Sequence, residues 1–344
     1  MNALSKVVPV ALIAFACFRE VYAQGRAAFQ LTATVENDFL APYNRDENYT
    51  GAAKVEVSTP EWYPAKFPFI KFDGSTNIQR LAIGATAYTP QDLESEAIVV
   101  GDRPYASFAF LDFGNDSYDL EHSRLFQSDV FIGFMGTRGP GNAQAYIHRK
   151  HWFGTDRPIP KGWDNQIGYS RSFAINYNTR FQQSVFHTAS RGDGFVMLEA
   201  AAVAEADIGT YMMNLQGGIR LNLFNIHPSP LLNVATVMPT IAPLGGTKFR
   251  FNMFLEPQIR LAGYNATLEG LLFNDHSTYT ISHSQVKRIL FEFASGFNLL
   301  VADQYLLRFA ITGRSREFGE GKPFHWWGSL TFAYSPRRWY SEEN

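Results

Sequence analysis

Stretches of ten or more residues that alternate apolar with polar side chains recur along this chain, and their length constrains the fold more than any other feature. Candidate strands cover about 31–38, 51–59, 77–89, 104–113, 124–135, 166–179, 194–205, 209–223, 248–263, 286–300, 304–315 and 326–335. In "KVEVST", Val55 and Val57 oppose Lys54, Glu56 and Ser58. In "SLTFAYS", Leu330, Phe332 and Tyr334 oppose Ser329, Thr331 and Ala333, and in "KFRFNMF" Phe249, Phe251 and Met253 oppose Lys248, Arg250 and Asn252. Each strand therefore has one greasy and one wet face. A soluble sandwich gives the same alternation. Its strands run about 5–6 residues, however, whereas a tilted strand crossing a bilayer needs about 9–11. The spacing predicts an all-β fold: a transmembrane antiparallel up-and-down β-barrel of about 12 strands in one domain.

The N-terminus agrees with export. Residues 1–23 read as a signal peptide: Lys6 gives a basic start, "VVPVALIAFACF" an apolar core, and Ala23 a small residue before the cut. Residues 24–344 then form the barrel, and no later apolar run reaches the length of a membrane helix. The single cysteine, Cys17, lies in the leader, so the mature chain forms no internal disulfide. A net charge of −2 offers no basic field for nucleic acid. Aromatic residues make up 15% of the chain, and Tyr and Trp gather near segment ends in "EWYP", "KGWDNQ", "HWW" and "RRWY", where interfacial girdles sit. The long connections 136–165 and 224–247 read as outer loops.

Three polar clusters stand out. The first, "ENDFLAPYNRDENYTG" (36–51), places Asn37 and Asp38 at the end of one strand and Thr50 at the start of the next, with Asn44, Asp46, Glu47 and Asn48 between. Carboxylates and amides are calcium ligands, and the same residues equally suit a solvated hairpin with Asx turns. The second, "VGDRPYASFAF" (100–110), sets Asp102 and Arg103 before Pro104; Arg103 either pairs locally or offers its planar fork to an anion. The third, "GPGNAQAYIHRKHWFG" (139–154), spaces Gln144 and His148 four apart, on one face of a helical turn. A histidine is the usual general base near neutral pH. His148 with His151 lacks the third ligand a zinc site wants. No GxSxG is present and the mature chain has no cysteine. Water activated by His148 is thus the simplest hydrolytic chemistry. A non-catalytic barrel, whether pore or scaffold, and a barrel phospholipase are the competing classes.

Taken in order, "ENDF", "NYTG", "DRPYA", "GP…Q…IH" and "KGWDNQ" resemble the outer-membrane lipid A 3′-O-deacylases. The resemblance implies a monomeric barrel in the outer membrane that hydrolyses the 3′-linked acyloxyacyl chain of lipid A, the lipid of lipopolysaccharide, with calcium as cofactor. By motif it implies Asn37 and Asp38 as active-site and calcium residues, Thr50 beside them, and His148 as the base that activates water. An acidic residue shortly after that His also matters in the family, and Asp156 is the nearest candidate, with His151 a rival base in the longer "HRKHWFG" link. Arg103, Gln144 and Arg149 are the expected contacts of the anionic head group.

Overall fold

A computed structural model describes residues 29–42, 48–60, 69–150, 157–169, 172–188, 195–226, 249–273, 277–302 and 304–335. Twelve strands run in chain order: β1 (Gln30–Asn37), β2 (Asn48–Thr59), β3 (Thr76–Thr89), β4 (Ala106–Asp119), β5 (Arg124–Met135), β6 (Ser172–His187), β7 (Phe195–Gly209), β8 (Met212–Ile226), β9 (Phe249–Asn265), β10 (Ile289–Val301), β11 (Tyr305–Ser315) and β12 (Phe324–Tyr334). Each pairs antiparallel with its sequence neighbour. β1 pairs with β12, in a register set by Leu31 opposite Tyr334, and this closes the barrel with no free edge.

The alternation resolves into a wall with two chemistries. Val55, Leu330, Phe332 and Met253 are exposed on the outside, whereas Glu56, Ser58, Thr331, Arg250 and Asn252 are buried toward the lumen. The "wet" face of each strand is thus the inside. Several of the charges buried in this interior are paired, as burial of a charge requires. Arg80 lies 3.6 Å from Glu56, 3.0 Å from Asp116 and 2.7 Å from Asp129. Arg180 and Arg220 share Glu256 at 2.9 and 2.7 Å.

Up-and-down connectivity sorts the connections by parity. Those following odd-numbered strands gather at one rim, and the chain ends of the barrel lie at the other. The 136–165 connection belongs to the first rim and carries helix α1 (Arg138–Arg149). The β9–β10 connection, also at this rim, carries a short helix, α2 (Ala266–Glu269). The 224–247 stretch does not join them. β8 extends to Ile226, so this connection, most of which lies outside the described residues, joins strands at the opposite rim.

Several strand boundaries also differ from the sequence reading, those of β6 and β4 by most. β6 begins at Ser172 and not near 166, because a turn at Gln166–Tyr169, with Gly168 at φ +68°, precedes it. β4 runs on to Asp119, its extra turn of polar residues facing partners inside the barrel, such as Arg80 for Asp116.

The expected aromatic girdle is only partly of that kind. Trp327 is buried in a luminal layer with Tyr49, Tyr88 and Phe108, against which Tyr211 packs. Tyr49 meets Tyr88 and Trp327 edge-on at 5.3 and 5.1 Å. This layer caps the lumen below the first rim and roofs a cavity of about 470 Å3 floored by Arg180, Glu256 and Arg260. The "EWYP" and "RRWY" aromatics and the leader 1–23 lie outside the described residues.

Candidate active site

β1 ends at Asn37, whose side-chain Oδ1 accepts a hydrogen bond from Phe39 N–H at 2.9 Å. That bond caps the single 3-10 turn Asp38–Leu40. Asp38, the first residue of the turn, is 1% exposed. Across the ladder Gly51 faces Asn37. A Cβ at Gly51 would lie 2.5 Å from the Glu36 carbonyl, so only glycine allows this approach. Thr50 sits where the β2–β3 register slips between Tyr49 and Gly51, a bulge, and bulges commonly re-aim side chains beside active sites. Its hydroxyl is held 2.7 Å from that of Thr89.

α1 supplies the third element. Its first turn tolerates Pro140, and His148 and Arg149 occupy its last turn, where positive charge is favoured. Gln144 and His148 share its buried face, as their spacing predicts. Gln144 accepts a hydrogen bond from Trp163 Nε1 at 3.1 Å. A Cβ on Gly141 would collide with the Trp163 ring at 2.7 Å, so that glycine lets the helix sit down on the indole. Trp163 of "KGWDNQ" thus braces α1 and is no membrane girdle residue.

His148 Nδ1 lies 2.7 Å from the Pro158 carbonyl oxygen. A carbonyl only accepts, so Nδ1 carries the proton and Nε2 is the basic nitrogen of the neutral ring. The residue just before Pro158 is Arg157, whose guanidinium is 3.4 Å from the Asp38 carboxylate. One dipeptide therefore ties the turn after β1 to the end of α1, across 119 residues of sequence on the Asp38 side. Neither Arg157 nor Pro158 carries a motif, and only their position in space reveals them.

The remaining candidates divide by burial. Arg149 is exposed at the end of α1. Arg103 is 1% exposed, donating to Glu317 and to the Thr267 hydroxyl, each at 2.6 Å, with its guanidinium 4.5 Å from the Tyr88 ring centre. It clamps the β3–β4, β9–β10 and β11–β12 connections together above the aromatic layer. Burial would raise the Glu317 pKa, but Arg103 and Arg314 overcome it and lower the value from 4.5 to about 2. Asp156 and His151 lie outside the described residues, as do Asn44, Asp46 and Glu47.

The donors Asn37 and Asp38 suit a hard cation in kind, since all are oxygens and calcium completes its shell with carbonyls and water. Among the described residues no group of three His, Cys, Asp or Glu side chains is assembled there. The Asn37 Oδ1 that caps the turn keeps a second lone pair, and the Asp38 contact with Arg157 is long.

A closed barrel whose outer face is greasy, whose lumen is salt-bridged, and whose polar residues converge at one rim defines an outer-membrane β-barrel protein with a rim-borne site. The family model for "Outer membrane protein LpxR" matches residues 8–335. The chain belongs to the LpxR family, the lipid A 3′-O-deacylases of the outer membrane. The solved structure of LpxR from Salmonella typhimurium superposes with a TM-score of 0.66 at 14% identity, covering 89% of this chain and 99% of that one. The β-domain of the Bordetella autotransporter BrkA aligns at a TM-score of only 0.40 and 8% identity, over 90% of this chain and 98% of that one. No curated protein sequence matches.

Proposed function

We propose that this protein spans the outer membrane and hydrolyses the ester that links the acyloxyacyl chain to the 3′ position of lipid A, using water activated by His148. The observation that carries this is the Arg157–Pro158 bridge, which fixes the His148 tautomer and contacts Asp38 through consecutive residues. With Nδ1 donating to Pro158, Nε2 takes a proton from water as the oxygen attacks the acyl carbon. The tetrahedral intermediate collapses with cleavage of the bond between the acyl carbon and the sugar oxygen. The imidazolium returns its proton to that leaving oxygen, and a carboxylic acid is released. Asn37 and Asp38 would hold a calcium ion, which when bound supplies Lewis-acid polarisation of a carbonyl and charge stabilisation. Arg149 and Lys150, exposed at the end of α1, would meet the lipid phosphates.

The aromatic layer and the paired luminal charges argue for this reading over a pore, because Phe108, Trp327, Arg80 and Arg220 are buried side chains that fill barrel interior a pore would leave open. The test is an assay of the purified protein in detergent with lipopolysaccharide. Release of the 3-hydroxy-linked acyloxyacyl acid is expected, with loss of activity on chelation and recovery on adding back calcium, while phosphatidylethanolamine is left intact. Activity unchanged by exhaustive chelation would remove calcium from the proposal, and phospholipid cleavage alone would replace the substrate.

A further inference from the structure

Away from the rim, the lumen holds a cation with no ion pair among the described residues. Arg308 of β11 lies against the Phe254 ring, its guanidinium carbon 5.0 Å from the centroid. It donates no hydrogen bond and forms no ion pair among the described residues. Arg220 of β8 presses on the same ring at 4.1 Å. Arg220 is 1% exposed, and its donors are unequally served. Nη1 bonds Glu256 at 2.7 Å and Nε bonds Asn222 at 3.1 Å, while Nη2 is buried without a partner. Glu256 is already shared with Arg180, and Glu199 stands behind Asn222 at 3.4 Å.

A ring face attracts a guanidinium. It leaves the in-plane N–H donors unsatisfied, and a buried unsatisfied donor is costly. Two like charges on one ring also repel each other. A bridging water satisfies a donor but cancels no charge. A single negative charge between the two guanidinia would meet both needs, by accepting from the unserved Arg220 Nη2 and offsetting the Arg308 charge on the same ring. The Asn298 Oδ1 opposite Arg308 is a buried acceptor without a partner; it repels any anion, and a small spherical ion stands clear of it more readily than an oxyanion with several oxygens.

We infer that Arg220 and Arg308, over Phe254, form a luminal binding site for a halide-sized monovalent anion, separate from the rim site. Crystals of the full barrel soaked in sodium bromide test it directly. An anomalous peak is expected within contact of both guanidinia in the wild type and absent in Arg308→Met. A wild-type map without a peak there, or a peak that survives Arg308→Met, overturns the site. In detergent, the heat-modifiability midpoint is expected to rise saturably by roughly 2–4 °C when chloride replaces gluconate at constant ionic strength, and to stay flat in Arg308→Met. Parallel rises in both proteins would count against specific binding. None of these readouts depends on lipid hydrolysis.

Discussion

Replacing His148 with alanine is expected to lower kcat for lipid A deacylation by roughly 100- to 10,000-fold, the usual contribution of a positioned general base. KM should change little, because the imidazole acts on the proton moved in the transition state and not on the bound lipid. The barrel itself should persist. His148 lies on a loop helix, and the closure between β1 and β12 does not involve it. Wild-type and variant protein should therefore show the same heat-modifiable gel shift while differing in turnover. A variant with near-wild-type kcat would transfer the base role elsewhere, with His151 the first candidate.

The second large effect is structural. The Arg103 side chain is fully buried, and its two strong hydrogen bonds reach connections more than 160 residues away in sequence. Breaking a buried ion pair from one side costs about 3–5 kcal/mol when the partner is left uncompensated, and here Arg314 at 3.2 Å keeps Glu317 partly paired, so the cost falls below that range. Arg103→Met is thus expected to loosen the β3–β4, β9–β10 and β11–β12 connections. Limited proteolysis should then cut these loops, which resist in the wild type. Arg103→Lys should fall between, since an ammonium keeps the charge but cannot fork to Glu317 and Thr267 together. A linked pH effect follows. The Glu317 pKa is lowered in the fold, so its stabilisation is complete above pH 4.5 and is lost as pH falls toward about 2. That acid sensitivity of the loops should shrink in Arg103→Met, with Arg314 preserving part of it. Loops equally protected in wild type and Arg103→Met would contradict the clamp.

The sequence revealed the barrel because alternation and length are local properties. Val55 against Glu56, and Phe332 against Thr331, encode which face is outside without reference to any other strand. The polar rim was visible too, in Asn37, Asp38, Thr50 and His148, because each sits at a strand end or on a four-residue helical spacing. Other features depend on distance in space. Arg103 beside Asp102 reads as a local pair or as a fork for an anionic head group; instead it is buried on Glu317 and Thr267, which arrive from two later loops. Trp163 and Trp327 read as interfacial residues because tryptophan near a segment end usually is, yet one braces a helix and the other fills the lumen. Arg157 and Pro158 carry no signal of composition or spacing, and they join the two halves of the site.

The proposed function assigns cleavage of one particular ester of lipid A to the rim bearing Asp38 and His148. Mass spectrometry of lipid A from outer membranes carrying the full-length chain measures this most directly. Loss of the mass of the 3′ acyloxyacyl unit is expected, with every other acyl chain retained and no loss in membranes carrying His148→Ala. Lipid A of unchanged mass despite a folded barrel, or loss of a chain from another position, would contradict it.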